Sequence, residues 1–252
     1  MRFLPQLAVL FLSLVGLRAA ATPAVATLLA EAQAAEIRFD SKSALALLLQ
    51  ADAAQPNDPV ILQKIARQYS DSTLDTTDLT EQKKLSALAL AYAQRAHTLA
   101  PKNAVNVLSL AICYAKIGFY ADNKTKITNS RLVKEYAVEA LALDPDYSYA
   151  HHVLGQWHHE VASIGATTRF FVRLIYGGLP AASTAEGVQH LRRAVALDPL
   201  NPSHHAELGF ALRSDGQADA AQQAFARALE LSPREKHDLE SQARVRAALK
   251  RS

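Results

Sequence analysis

One cysteine, Cys113, stands alone in 252 residues. Neither a disulfide framework nor a cysteine-rich zinc finger can be built from it. Glycine occurs nine times and aromatic residues make up 7%. Both scarcities weigh against an all-β chain, whose strands draw on aromatic and β-branched side chains. Charge is also sparse, with 20% charged residues and a net charge of +3. That excess is too small for a nucleic-acid partner. What the chain has instead is alanine and leucine, 48 and 36 residues, one third of the whole. Both are strong helix formers, and 50% hydrophobic residues exclude a disordered chain.

The N-terminus carries Arg2 and then an apolar stretch from Phe3 to Leu17, broken by Pro5, Gln6 and Ser13. It falls short of the roughly 20 apolar residues of a spanning helix. Ala19 and Ala21 stand at the spacing of a cleavage site, and Pro23 follows. This order predicts a secretory signal peptide over residues 1–21 and a mature, periplasmic or extracellular chain over 22–252. A retained N-terminal anchor is the alternative. Removing Arg2 and Arg18 leaves 25 basic against 24 acidic residues, so the mature chain is close to neutral.

Five phrases repeat along the chain, each with an alanine five residues before a proline: Ala51 and Pro56, Ala96 and Pro101, Ala140 and Pro145, Ala194 and Pro199, Ala228 and Pro233. The proline spacings are 45, 44, 54 and 34. The last is the period of a tetratricopeptide-type helix–turn–helix repeat. With Pro233 at position 32 of that pattern, Leu208, Gly209, Ala221, Phe225 and Ala228 fall on its packing positions. Small residues at three of them let antiparallel helices approach, and larger ones fill the gaps. The predicted fold is an all-α, tetratricopeptide-like α-solenoid of about five helical hairpins. The repeats cover about 23–57, 58–102, 103–146, 147–200 and 201–234, with a polar capping helix over 235–250. Asp58-Pro59 and Asn201-Pro202 read as helix starts, and Ser183 with Glu186 as a capping box.

Two stretches go beyond a generic repeat. One runs from Lys124 through Ser130 into Val133–Pro145. The other holds Leu154-Gly155-Gln156-Trp157-His158, then Arg169 and Tyr176-Gly177-Gly178-Leu179-Pro180. Over residues 85–232 the chain resembles the regulator of microtubule dynamics protein family, which has bacterial relatives. The resemblance implies a tetratricopeptide-like helical fold with an elongated hairpin at this place. Some animal members carry a membrane anchor and act with microtubules. An exported chain would not meet tubulin, so the resemblance is carried over for the fold and not for that partner.

Four histidines, His151, His152, His158 and His159, share one predicted helix. Repeat phasing sets His151 and His158 against the second helix of their repeat, and His152 and His159 on the inner face. The latter two are seven residues apart, about 10.5 Å along the axis, too far for one zinc ion without other ligands. No His-Glu-x-x-His, nucleophile elbow or phosphate-binding loop is present. The Gly177-Gly178 pair reads as a chain reversal, with a phosphate cradle as its alternative. Cys113 reads as an ordinary buried thiol. No cofactor, metal or catalytic residue is expected.

The expected function is therefore a protein-interaction scaffold whose concave groove takes a protein or peptide. Phasing places Gln63, Arg67, Tyr149, His152, Gln156, His159, Phe210 and Arg213 on the inner face, with Val105, Leu108, Ile112 and Ala115 as its apolar patch. Binding that uses His152 and His159 is expected to weaken below about pH 6.5. Two alternatives stand beside it. One is a metal-binding or enzymatic protein using the His151–His159 helix. The other is a membrane-associated envelope assembly factor that touches lipid through residues 161–182, where Arg169 and Arg173 rim Phe170, Phe171, Leu174 and Ile175. That insertion is also placed to fold back over the apolar patch.

Overall fold

The computed structural model describes residues 23–250. The expected signal peptide, 1–21, lies outside them. Among the described residues there are α-helices, one short 3-10 turn and no strand. Five hairpins follow one another: α1 (Pro23–Ile37) with α2 (Ser41–Ala54), α3 (Pro59–Ser72) with α4 (Leu79–Leu99), α5 (Ala104–Tyr120) with α6 (Asn123–Leu143), α7 (Ser148–Ala162) with α9 (Thr184–Leu197), and α10 (Pro202–Ser214) with α11 (Ala218–Glu230). An extra helix, α8 (Ala166–Tyr176), sits inside the fourth hairpin, and α12 (Lys236–Leu249) ends the chain. The fold is the all-α solenoid expected from the repeat.

The prolines write the helix ends. A residue before proline is pushed out of the helical region by the ring. Gln55, Ala100, Asp144 and Asp198 precede Pro56, Pro101, Pro145 and Pro199. All four take φ between −141° and −135°, and each amide still donates to the carbonyl four residues back. Helix starts are capped as the sequence indicates. Asp58 accepts from the amides of Val60 and Ile61, and Asn201 from that of His204. At Ser183 only half of the expected capping box forms. Its hydroxyl takes the Glu186 amide at 3.4 Å, while the Glu186 carboxylate turns instead to His158 at 3.0 Å.

The five phrase alanines, Ala51, Ala96, Ala140, Ala194 and Ala228, are all fully buried. Small side chains at these positions bring the second helix of each repeat against its neighbours. α7 and α9 approach each other closely. A Cβ added at Gly155 would stand 3.0 Å from the Gly187 carbonyl, and one at Gly187 would stand 3.0 Å from the Gly155 carbonyl. The apolar core is strung along the chain rather than gathered at a centre. Val25, Leu48, Ile61 and Ile65 form one cluster, Ala89, Leu110 and Cys113 a second, Val107, Leu108, Leu154 and Trp157 a third, and Leu191, Leu212, Phe225 and Val245 a fourth. Each buried Leu, Ile or Phe stabilises its own joint by about 1.5–3 kcal/mol, as a solenoid of neighbour contacts requires.

Candidate functional site

The proposed binding residues lie on α3, α5, α7 and α10, first helices that contact one another in succession, α3 with α5, α5 with α7 and α7 with α10. On α3, Gln63 donates to the Ser109 hydroxyl at 3.2 Å, and Arg67 pairs with Asp71 on its own helix at 3.7 Å and with Glu235 at 3.1 Å. On α7, Tyr149 accepts from the Asn201 side-chain amide at 2.9 Å and meets His204 edge-on at 5.1 Å. Gln156 donates to Glu160. On α10, Phe210 packs against Phe225 at 5.0 Å, and Arg213 lies over both rings.

Two of the inner-face residues are packed rather than presented. Leu108 is 1% exposed and belongs to the joint between the third and fourth repeats. His152 is 5% exposed, with its Nδ1 3.0 Å from the Nδ1 of His204 on the next repeat. Burial, with His204 alongside, holds His152 well below the usual imidazole range. Ile112 is half-buried against the same core, and Val105 is exposed. His159 is half-buried, and burial together with Arg244 and Arg213 lowers it too.

The remaining histidines do structural work. His151 and His205 occupy equivalent repeat positions and contact equivalent carbonyls, those of Pro145 and Pro199, each at 3.0 Å. His151 also meets His190 of α9 through their Nδ1 atoms at 2.9 Å, and His158 stacks on the same His190 ring. Among the described residues no group of three or more His, Cys, Asp or Glu side chains is arranged to hold a metal ion. Cys113 is buried, which pushes its thiol up to about 12.

The ends of the insertion, Ile164 and Leu179, pack on the core cluster that holds Leu108 and Trp157. Between them α8 stands against α6, and its apolar face is open. Phe170 is 62% exposed, Leu174 69% and Ile175 62%. Arg169 is not a free rim charge, because its guanidinium caps the C-terminus of α7 at the carbonyls of Val161 and Ala162. Gly177 and Gly178 both take positive φ, and their amides return to the carbonyls of Arg173 and Val172. The pair is the chain reversal that ends α8. Among the described residues no helix is long and apolar enough to cross a membrane.

The two signature stretches of the sequence meet in space. Ser130, at the end of the first, accepts the Trp157 indole N–H through its carbonyl at 2.7 Å and through its hydroxyl at 3.0 Å. The next residue, Arg131, donates to the carbonyls of Tyr176 and Gly178. Lys134, one turn on, lies 4.8 Å over the Trp157 ring and donates to the Ala181 carbonyl. One face of α6 thus clamps both the Trp157 helix and the Tyr-Gly-Gly-Leu-Pro turn.

Sequence reasoning missed α12 as a part of the inner face. It reads as a polar cap, yet Glu235, Asp238 and Arg244 reach Arg67, Ser203 and Glu207 on first helices. The Glu235-x-x-Asp238 capping box marks where this helix starts, and nothing in its sequence marks these contacts.

Comparison with known proteins follows this geometry. The family model described as Regulator of microtubule dynamics protein 1-3 matches residues 28–252. Regulator of microtubule dynamics protein 1 of Mus musculus is 27% identical over 180 residues, 71% of this chain and 58% of that protein. Its Bos taurus counterpart is 29% identical over 146 residues, 58% of this chain and 46% of that protein. The chain spans about half the length of the curated relatives it matches. Among solved structures, a thermophilic tetratricopeptide-repeat protein of Thermus thermophilus aligns with a TM-score of 0.65 at 21% identity, over 90% of this chain and 99% of that one. This second likeness is one of fold. The family match runs from the second turn of α1 through every hairpin, α8 and α12, and the chain belongs to the regulator of microtubule dynamics family.

Proposed function

We propose that this protein is an exported interaction scaffold, not an enzyme, and that the face of its first helices binds a segment of a partner protein. The tetratricopeptide-like fold supports the coarse reading, since a helical-repeat face presents side chains from successive helices to an extended or helical ligand. The observation that carries the finer reading is the row of aromatic and arginine side chains on that face: Arg67, Tyr149, Phe210 and Arg213. Such residues dominate binding energy where they occur at interfaces. The curated relatives are named for microtubule dynamics. The segment over 1–21 argues for a partner outside the cytoplasm instead. N-terminal sequencing that finds a mature chain starting near Thr22 would support export, and an intact Met1 in a membrane fraction would overturn it.

The binding face is tested by cross-linking and co-purification from the native source, followed by pull-downs with Tyr149→Ala, Gln156→Ala and Arg213→Ala. Each is expected to fold and to lose partner capture. Gln156→Ala keeps the parent's melting temperature, while Tyr149→Ala and Arg213→Ala lower it because those side chains pack on His204 and Phe225. Full capture by all three would place the site elsewhere.

A second reading has its own observation. The open apolar face of α8 carries Arg173, and no carboxylate lies between Glu160 and Glu186. An apolar helix face with cationic flanks suits an anionic lipid surface. Flotation with phosphatidylglycerol vesicles should carry the protein upward, and Phe170→Ser with Leu174→Ser should abolish this. Absence of flotation for the parent would remove the reading.

A further inference from the structure

The inner face is already occupied, and the occupant belongs to the chain. α12 does not simply cover the end of the last repeat. It leans inward onto α10, and its first residues cross the superhelix to the N-terminal hairpins. Lys236 donates to the Ser41 hydroxyl at 3.2 Å, a contact spanning 195 residues of sequence, and pairs with Asp75. Glu235 pairs with Arg67 at 3.1 Å and lies against Tyr149. Further along, Asp238 accepts the Ser203 hydroxyl. Arg244 pairs with Glu207 and lies 4.8 Å over the Phe210 ring. Three of the proposed anchors are therefore met from this end of the chain, Phe210 by α12 itself and Arg67 and Tyr149 by its cap residue Glu235.

The character of this contact separates α12 from the other helices. α11 buries Ala221, Ala224, Phe225 and Ala228. α12 buries Asp238, Ser241, Gln242 and Val245. One of those four is apolar, so burial of hydrocarbon contributes little to holding it. Its seat is made largely of polar contacts: the Arg67–Glu235 pair is open enough for water and salt to compete, while Asp238, Gln242 and Glu207 are buried.

We propose that α12 is a built-in, displaceable ligand of the first-helix face, and that the partner is a helical protein segment that copies its charge pattern. This rests on the reading that the first-helix face is the binding surface. The receptor side sets the pattern. Arg67 is half-buried and Glu207 buried. When α12 leaves, Glu207 loses its partner and Arg67 keeps only Asp71 of its own helix, at 3.7 Å. The incoming helix must bring a carboxylate to Arg67 and a guanidinium to Glu207. In the chain itself these are Glu235, the cap residue just before α12, and Arg244, nine residues apart, about 13.5 Å along a helix axis. A carboxylate one turn into the helix meets Ser203, and the arginine also covers Phe210. Acid at the N-terminal end and arginine toward the C-terminal end agree with the helix dipole.

The test uses a fluorescein-labelled peptide of residues 233–252 and the full-length protein. In the double variant Lys236→Ala and Arg244→Ala, the chain's own helix is loosened while Arg67, Tyr149 and Glu207 remain. The parent, whose face is filled, is expected to bind the peptide at least about tenfold more weakly than the double variant, since apparent affinity scales with the open fraction. Adding Arg67→Ala or Glu207→Gln to the double variant should abolish the gain. Hydrogen exchange on the parent is expected to show the amides of α12 opening before those of α10 and α11, and faster at raised salt. The proposal is overturned if a folded double variant binds no better than the parent, or if α12 exchanges as slowly as α11. If it fails while Tyr149→Ala and Arg213→Ala still lose the native partner, the binding face survives and only the built-in ligand is lost.

Discussion

At Gly209 a Cβ would stand 2.5 Å from two atoms of the Phe225 ring, and that ring is 2% exposed. No retreat is open to it, because Phe210 and Arg213 hold its other side. Gly209→Leu is therefore expected to cost a few kcal/mol by overpacking. A thermal melt within a degree of the parent would contradict this. Gly155→Ala meets the Gly187 carbonyl as well as Leu191, and backbone yields less than a side chain. Both glycines were legible because a repeat position that demands a small residue writes itself into the sequence. His152 and Leu108 were not legible in the same way. Phasing puts them on the inner side. Their burial depends on how far each repeat rotates against the next, and that twist brings His204 and the α7 core onto them. The titration expected of His152 near pH 6.5 is corrected by the same contact, since burial keeps it neutral well below that range.

Helices were legible at their ends and partly legible on their faces. Proline fixes the preceding residue, so α2, α4, α6 and α9 stop where the sequence says. The excess length of the fourth repeat announced an insertion, and the glycine pair announced its turn. What the sequence does not state is that α6 holds that turn. Arg131 supplies the carbonyls of Tyr176 and Gly178 with their donors. Arg131→Ala leaves those carbonyls without this donor, at about 1–3 kcal/mol for the local structure. The segment from Ser163 to Ala182 should then open more often. Limited proteolysis is expected to cut the variant there sooner than the parent, with the rest of the solenoid intact. Equal cutting rates would show that the clamp does not hold α8. The face of α12 was illegible for a different reason. A helix seated through Asp, Ser and Gln leaves no apolar stripe to count, and its partners lie up to 195 residues away.

The whole molecule stores neutral imidazole. Burial lowers His152, His158, His159, His190, His204 and His205, with His190 and His204 brought to about 4. In the unfolded chain each would protonate near 6.5. Between these values the unfolded state binds more protons than the folded one, so stability rises with pH and falls on acidification. The loss starts as pH drops through about 6.5 and levels off below about 4 for His190 and His204. For His204, which is fully buried, the full span is on the order of 3 kcal/mol. Asp71 and Glu207 oppose it. Burial raises both carboxyls, so they take up protons early in the folded state and add stability as pH falls toward their unfolded values. The imidazoles, with His190 and His204 at about 4, are expected to set the sign of the balance. Urea midpoints are expected to be flat from pH 8 to 7 and to fall steadily from pH 6.5 to 5. The joint between the fourth and fifth repeats, where His152 meets His204, should loosen first. His204→Gln removes one of these protons and is expected to give a shallower slope over that window, with a lower midpoint at pH 7 from the lost packing. A variant whose midpoint falls with the parent's slope would locate the acid sensitivity outside this joint.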